Sequence, residues 1–312
     1  MGEAKRNGRG GGQMPPMTCA PVIPDPLSFA FWFFPMSRSS MPTPLMYETH
    51  SHTPLCKHAT GEPEEYAQVA LERGLRGIVI TCHNPMPDGF SASVRMDPEE
   101  FETYCDMVAR AREAYAGRVD VRLGLECDYF PGFEKWLEKQ VVSAKFHHLL
   151  GSVHPQIKEY KAAYWRNDAV AFFKQYYEHL ALAAETKWFD TISHPDIVKN
   201  IAPSKWNVNE LLDDIRRSLD RIAKTGCAME LNTSGVNKDL PEMNPGVTIL
   251  GEMKARGIPV VIGADAHVPK RVGDGFAKAL GILESVGYTH VSYFLDRKRQ
   301  EIGIGDAKAS LK

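Results

Sequence analysis

The chain has 312 residues, 43% hydrophobic and 24% charged, enough for one large domain or two ordinary ones. With 37 basic residues against 39 acidic ones it carries no positive excess to grip a nucleic-acid backbone, and no apolar run approaches the ~20 residues that span a bilayer. Six cysteines, at 19, 56, 82, 105, 127 and 227, form no CxxC pair, which argues against a disulfide scaffold or a cysteine-rich zinc finger and predicts a soluble protein of a reducing cytoplasm.

The first 45 residues differ from the rest. Asn7 to Gly12 is a basic-glycine stretch, prolines recur at 15, 16, 21, 24, 26, 35, 42 and 44, and one apolar patch runs from Leu27 to Met36. That patch is interrupted by Ser28 and stopped by Pro35, and no A-x-A-like cleavage site follows, so a secretory signal is not expected. Residues 1–45 read as a disordered extension or, the reading we prefer, an over-extended gene model whose start is Met41 or Met46.

From Tyr47 onward, short β-rich runs alternate with helical patterns. Strands are predicted at Tyr47–His52, Gly77–Cys82, Val119–Glu126, His148–His154, Phe189–His194, Ala228–Asn232 and Pro259–Ala264. The intervening helices are Pro63–Arg73, Asp97–Tyr115, Glu134–Val142, Asp168–Thr186, Val208–Lys224, Pro245–Arg256 and Asp274–Val286. Proline and acids in first turns mark several starts, and Gly226, Gly257 and Gly287 mark ends. Seven β-α units in succession predict an α/β fold with parallel strands and crossover helices. Val291–Leu295 and Glu301–Ile304 read as extended, without a place in that pattern.

Seven of the 11 histidines fall at or just past predicted strand ends. His50 and His52 stand two apart, so both imidazoles face one side of the first strand. His83, His154 and His194 end the second, fourth and fifth strands, Glu126 ends the third, and Asp265 and His267 follow the seventh. His58 lies in the loop after the first. Barrel enzymes build their active sites at this end of the strands. Neutral imidazole and carboxylate are the usual ligands of divalent zinc, iron and manganese. Nine such groups exceed the needs of one four-coordinate ion and suit two or three. Any one of these histidines alone would be better read as structural; the joint placement carries the signal. His147, His148, His179 and His290 lie away from those ends and are expected to be core or surface residues.

The runs HSHTPLCKHATG, TCHNP, GLECDYFPG, GSVH, SHPDIVK, ELNTSG and GADAH, in this order, resemble the PHP (polymerase and histidinol phosphatase) superfamily, and within it the monofunctional histidinol-phosphate phosphatases. The resemblance runs from about Tyr47 to about Gly287 and makes 46–305 a PHP metal-dependent phosphoesterase domain. It implies a distorted seven-stranded (β/α) TIM-like barrel with a trinuclear site. His50, His52, His58, His83, Glu126, His154, His194, Asp265 and His267 match the family's metal ligands. By that analogy Glu126 bridges two ions, His154 and His194 share one of them, and His58 and His83 sit on the third. Glu126, Asp265 and His267 are then the residues carrying catalysis. Two departures stand out: Cys82 replaces the family's usual Asp before His83, and Ala264 replaces the usual Ser before Asp265. Cys82 should face away from His83, which directs its effect to ligand orientation rather than ligation.

Such a site suits a phosphate monoester. Zinc, iron or manganese ions neutralise its charge and generate hydroxide near neutral pH for attack on phosphorus. Lys199, Arg166 and Asn232 are the candidate substrate contacts, the first two as phosphate clamps. The leading expectation is hydrolysis of L-histidinol phosphate late in histidine biosynthesis. The alternatives are another small ester or a nucleic-acid end, the latter disfavoured by the absence of a basic, aromatic-rich tract, and a non-catalytic metal-binding protein. The expected partner is a small phosphate ester, with no nucleic acid and no membrane.

Overall fold

The computed structural model describes residues 43–312, so the N-terminal extension lies, up to residue 42, outside the described residues. The strands are β1 (Tyr47–Glu48), β2 (Gly77–Ile80), β3 (Asp120–Asp128), β4 (His148–Ser152), β5 (Thr191–Ile192), β6 (Ala228–Asn232), β7 (Val260–Gly263), β8 (His290–Leu295) and β9 (Lys298–Gly303). The helices are α1 (Pro63–Glu72), α2 (Phe101–Ala114), α3 (Glu134–Gln140), α4 (Lys158–Tyr164), α5 (Ala169–Glu185), α6 (Val208–Thr225), α7 (Val247–Ala255), α8 (Phe276–Val286) and α9 (Ile304–Ser310). None of them is long and apolar enough to cross a membrane.

The sheet runs β1 to β9 in chain order, parallel through β8, with β9 antiparallel at the end. The seven predicted strands form β1–β7. The expected count of seven is exceeded by the β8–β9 hairpin, which contains the extended C-terminal residues that the pattern left unplaced. Closure is asymmetric. Just beyond β1 and β7 the chain forms a parallel bridge at Ser51 and Ala266, with His52 N donating to Ala266 O at 2.9 Å and Ala266 N to His50 O at 3.1 Å. At the other end β8 pairs with β7 through Val261 and Ser292, and Tyr293 stacks on Tyr47 of β1 at 4.7 Å. A strand inserted at one end only is what distorts the barrel.

Local chemistry accounts for the helix starts. Glu62 and Glu65 form a capping box at α1, Asp97 and Glu100 another ahead of α2, and the Asp168 side chain accepts from Ala171 N at α5. Gly226 ends α6 in the left-handed conformation a glycine adopts without strain.

The two faces of the strands are chemically different. Outward residues such as Ile78, Ile80, Val121, Leu123, Leu125 and Leu149 join the main apolar core with the helices, above all Phe172, Phe173, Tyr176 and Leu180 of α5. The alternating set, Glu48, His50 and His52, then Thr81 and His83, then Glu126 and Asp128, faces the barrel interior, as do Ser152, Ser193, Glu230 and Asn232. Ala228, Val261 and Phe294 form a small apolar cluster apart from the main core, and His148 stacks on Phe294 at 5.0 Å.

Candidate metal centre

Six strands, β1–β5 and β7, with the loop after β1, bring all nine sequence-selected groups to one place at and beyond their C-terminal ends. Glu126, fully buried, is the hub: Oε1 lies 3.4 Å from His50 Nε2, 3.3 Å from His154 Nε2 and 3.1 Å from His194 Nε2. Its Oε2 lies 2.7 Å from His83 Nδ1 and 3.7 Å from His52 Nε2. Asp265 Oδ1 stands 3.1 Å from His52 Nε2, 3.8 Å from His50 Nε2 and 3.3 Å from His267 Nδ1. His267 Nε2 and His58 Nε2 are 2.9 Å apart. The donor atoms fall into groups within 4.8 Å, among them His50 with His52 and Glu126, Glu126 with His154 and His194, and His58 with His83 and His267.

These groups satisfy one another poorly. His50 Nε2, both ring nitrogens of His52, His83 Nδ1 and Glu126 Oε2 are buried without a properly directed hydrogen bond. A buried unpaired polar atom costs roughly 1–3 kcal/mol, so several converging on one point need a common partner. Divalent cations accept neutral imidazole nitrogen and carboxylate oxygen together, and the donor set fits them.

The electrostatics agree. Burial pushes His83 down to about 4 and His267 down to about 2, keeping both rings neutral. Burial also opposes charge on His154, but the carboxylates of Asp128 and Glu126 outweigh it and raise the ring to about 10. His52 rises to about 9 against burial, through Asp265, Cys82 and Glu126. Glu126 is held well below the usual carboxylate range despite its burial, chiefly by His83, His50 and His154. A cation bound at these nitrogens would displace any proton that His52 or His154 carries.

An outer ring of residues that sequence reasoning missed orients the inner one. Glu230 accepts from His50 Nδ1 at 2.8 Å and from His194 N at 2.8 Å. Asp128 pairs with His154 Nδ1 and with the buried Arg95. Ser152 Oγ donates to Glu126 Oε1 at 2.7 Å. Glu48 accepts from the backbone N–H groups of His50, Ala264 and Gly273. Carboxylate–histidine pairs of this kind fix the ring that faces a metal. Their signal was available: Glu48 stands two before His50, Asp128 two after Glu126, and Glu230 two before Asn232, all on the inward parity. Gly263 leaves them room, since a Cβ there would meet Glu230 Oε1 at 2.2 Å and His50 Cβ at 2.7 Å.

The three candidate substrate contacts are placed differently from expectation. Lys199 is fully buried, its Nζ 3.0 Å from both Asp196 Oδ2 and Glu242 Oε2, so its charge is spent inside the fold. Arg166 is exposed and donates to the carbonyls of Ala162, Ala163 and Trp165, drawn there by the unpaired oxygens at the end of α4. Asn232 is buried with its amide committed to Glu230, Asp265 and Ser234 N, and it steadies Asp265 rather than facing a ligand. The group that faces the opening is Lys238. It lines a cavity of about 260 Å³ together with His58, His83, His154, Gln156, His194, Ile197, Asp265 and His267. Cys82 points away from His83 and accepts from Thr53 Oγ1 at 3.2 Å. The four bystander histidines lie elsewhere: His148 on Thr191, His179 on Tyr160, His147 beside Asp296, and His290 exposed.

The chain belongs to the PHP domain family, whose profile matches residues 48–234. Within it, the chain is a phosphoric monoester hydrolase. It is 38% identical over 259 residues to the probable histidinol-phosphatase of Deinococcus radiodurans, covering 81% of this chain and 98% of that one. The histidinol-phosphatase of Bacillus subtilis is 27% identical over 257 residues, 72% of this chain and 94% of the relative. Among solved structures, the histidinol phosphate phosphatase of Lactococcus lactis, complexed with zinc, L-histidinol and phosphate, shares the fold with a TM-score of 0.68 at 18% identity, covering 81% of this chain and 98% of that one.

Proposed function

We propose that this enzyme hydrolyses L-histidinol phosphate to L-histidinol and inorganic phosphate with two or three divalent cations, zinc, iron or manganese, held by His50, His52, His58, His83, Glu126, His154, His194, Asp265 and His267. The observation that carries this reading is the convergence of buried, unpartnered ring nitrogens on the Glu126 carboxylate. The substrate is supported by the relatives' names and by the Lactococcus structure, which holds L-histidinol and phosphate.

Cations bound there supply positive charge to the phosphate dianion and lower the pKa of a water toward ~7. The chain's own residues hold that arrangement in place. Glu126, with oxygens toward two groups of imidazoles, would be the ligand shared between cations held there. Asp265 has Oδ2 fixed by Ser234 and Asn232, leaving Oδ1 for the centre. His58 and His267 stand at the rim of the cavity, where an ester enters. Its volume of about 260 Å³ suits a small ester rather than a polymer.

Phosphate release from a panel of monoesters tests the assignment, using purified protein loaded with metal. Histidinol phosphate should be the preferred member. No turnover of it by protein carrying two or more metals would remove this substrate.

A further inference from the structure

The segment between β6 and α7 is closed at its base and bound along its length. Asn232 N donates to Asn244 O at 2.7 Å and Asn244 N to Asn232 O at 3.0 Å, so the loop from Thr233 to Met243 leaves and returns at one point. It is folded tightly: a Cβ on Gly235 would meet Glu242 O at 2.2 Å and Asn244 Oδ1 at 2.3 Å. Ser234 Oγ fastens it to Asp265, and Leu240 N donates to Asn200 Oδ1 at 3.1 Å. Its strongest tie is the buried Lys199, which reaches Glu242 Oε2 at 3.0 Å and Met243 O at 3.3 Å while paired with Asp196. Asp196 in turn accepts from Asn244 Nδ2 and from Gly246 N.

At the middle of this loop stands Lys238. Its backbone N–H is tied to Gly235 O at 3.0 Å, while its side chain is exposed and lines the cavity. Among the described residues lining this cavity it is the only lysine or arginine. An ammonium on a restrained backbone, lining the same cavity as the histidines and Asp265, can pair with a phosphoryl group that sits against the centre.

We propose that Lys238 is the side-chain cation that receives the substrate's phosphoryl group, and that Lys199 is a positioning residue which acts through it by holding the loop. This rests on the phosphate-ester reading above. The ligand chemistry is a phosphate dianion, which ester substrate and inorganic phosphate share.

The test uses the metal-loaded enzyme and two readouts, steady-state kinetics and calorimetric binding of inorganic phosphate. Lys238→Met should raise KM and weaken phosphate binding together, each about tenfold, with metal content unchanged and kcat nearly so. Lys238→Arg should recover most of the loss. Lys199→Met should shift KM the same way and speed amide hydrogen exchange in residues 233–243. Because that variant strands the buried Asp196 and threatens folding, Glu242→Gln, on a half-exposed side chain, supplies a milder version of the same test. A purely structural role for Lys199 would lower the active fraction, and so kcat, without moving KM. Wild-type phosphate binding in Lys238→Met overturns the first assignment, and unchanged loop exchange in both tether variants overturns the second. Phosphate binding and exchange need no turnover, so they decide the point even if histidinol phosphate is not the substrate.

Discussion

Glu126 reaches rings on both sides of the centre because its strand lies between those carrying His83 and His154. Glu126→Gln keeps the shape but loses the charge that offsets its neighbours. We expect bound metal to fall and phosphate release to drop on the order of 100-fold or more, with circular dichroism unchanged. Full metal occupancy and wild-type turnover would remove Glu126 from its proposed bridging role. Asp265 shows how residues outside the centre matter: it sits at φ +49°, in the left-handed region, a conformation the Ser234 and Asn232 contacts help to hold.

Among the elements, β7 packs directly against residues of the site: a Cβ on Gly263 would meet both Glu230 and His50. Gly263 has no space for a side chain, so Gly263→Ala must push Glu230 or His50 aside. The expected cost is about 1–3 kcal/mol in urea denaturation with chelator present, together with weaker metal binding by titration. An unchanged midpoint and affinity would show that Glu230 yields freely. Strand parity is also why so much of the site was legible: once the strands were assigned, His50, His52 and Glu126 had to point inward together, with Asp265 just past the end of the seventh. The same parity contained Glu48, Asp128 and Glu230, whose value lies in contacts across strands rather than in any motif. The side chains of Lys199 and Arg166 were not legible, because a lysine's partners are set by distant segments such as Glu242. The short α4 and the β8–β9 hairpin escaped for a related reason: one is a brief helix within a loop, and the other takes its place from tertiary pairing with β7.

For the whole molecule, two buried neutral histidines set an acid limit. Burial pushes His148 down to about 3 and His179 down to about 4, whereas in the unfolded chain each titrates near the ordinary value of ~6.5. The unfolded chain therefore binds more protons between those values. Their contribution is fully present above pH ~6.5 and is lost as pH falls toward 3, by up to about 1.4 kcal/mol per pH unit for each group. Denaturant midpoints of chelated protein at pH 7, 6, 5 and 4 should decline accordingly. His148→Gln should flatten that decline, and an unaltered slope would remove His148 as a source. Divalent metal binds the folded chain in preference to the unfolded one, so a chelator should lower Tm and excess metal restore it.

The bridge between Ser51 and Ala266 has a consequence for how the molecule is made. It joins two ends of the ring whose residues are separated by nearly the whole barrel sequence, and the proposed ligand pairs His50–His52 and Asp265–His267 flank it. During synthesis the first pair leaves the ribosome long before the second exists. A nascent chain ending after β6 has neither Asp265 nor His267 to complete the seam. On the proposed ligand set, full metal loading waits for the segment after β7, and closing so long a loop makes that step slow relative to local helix formation.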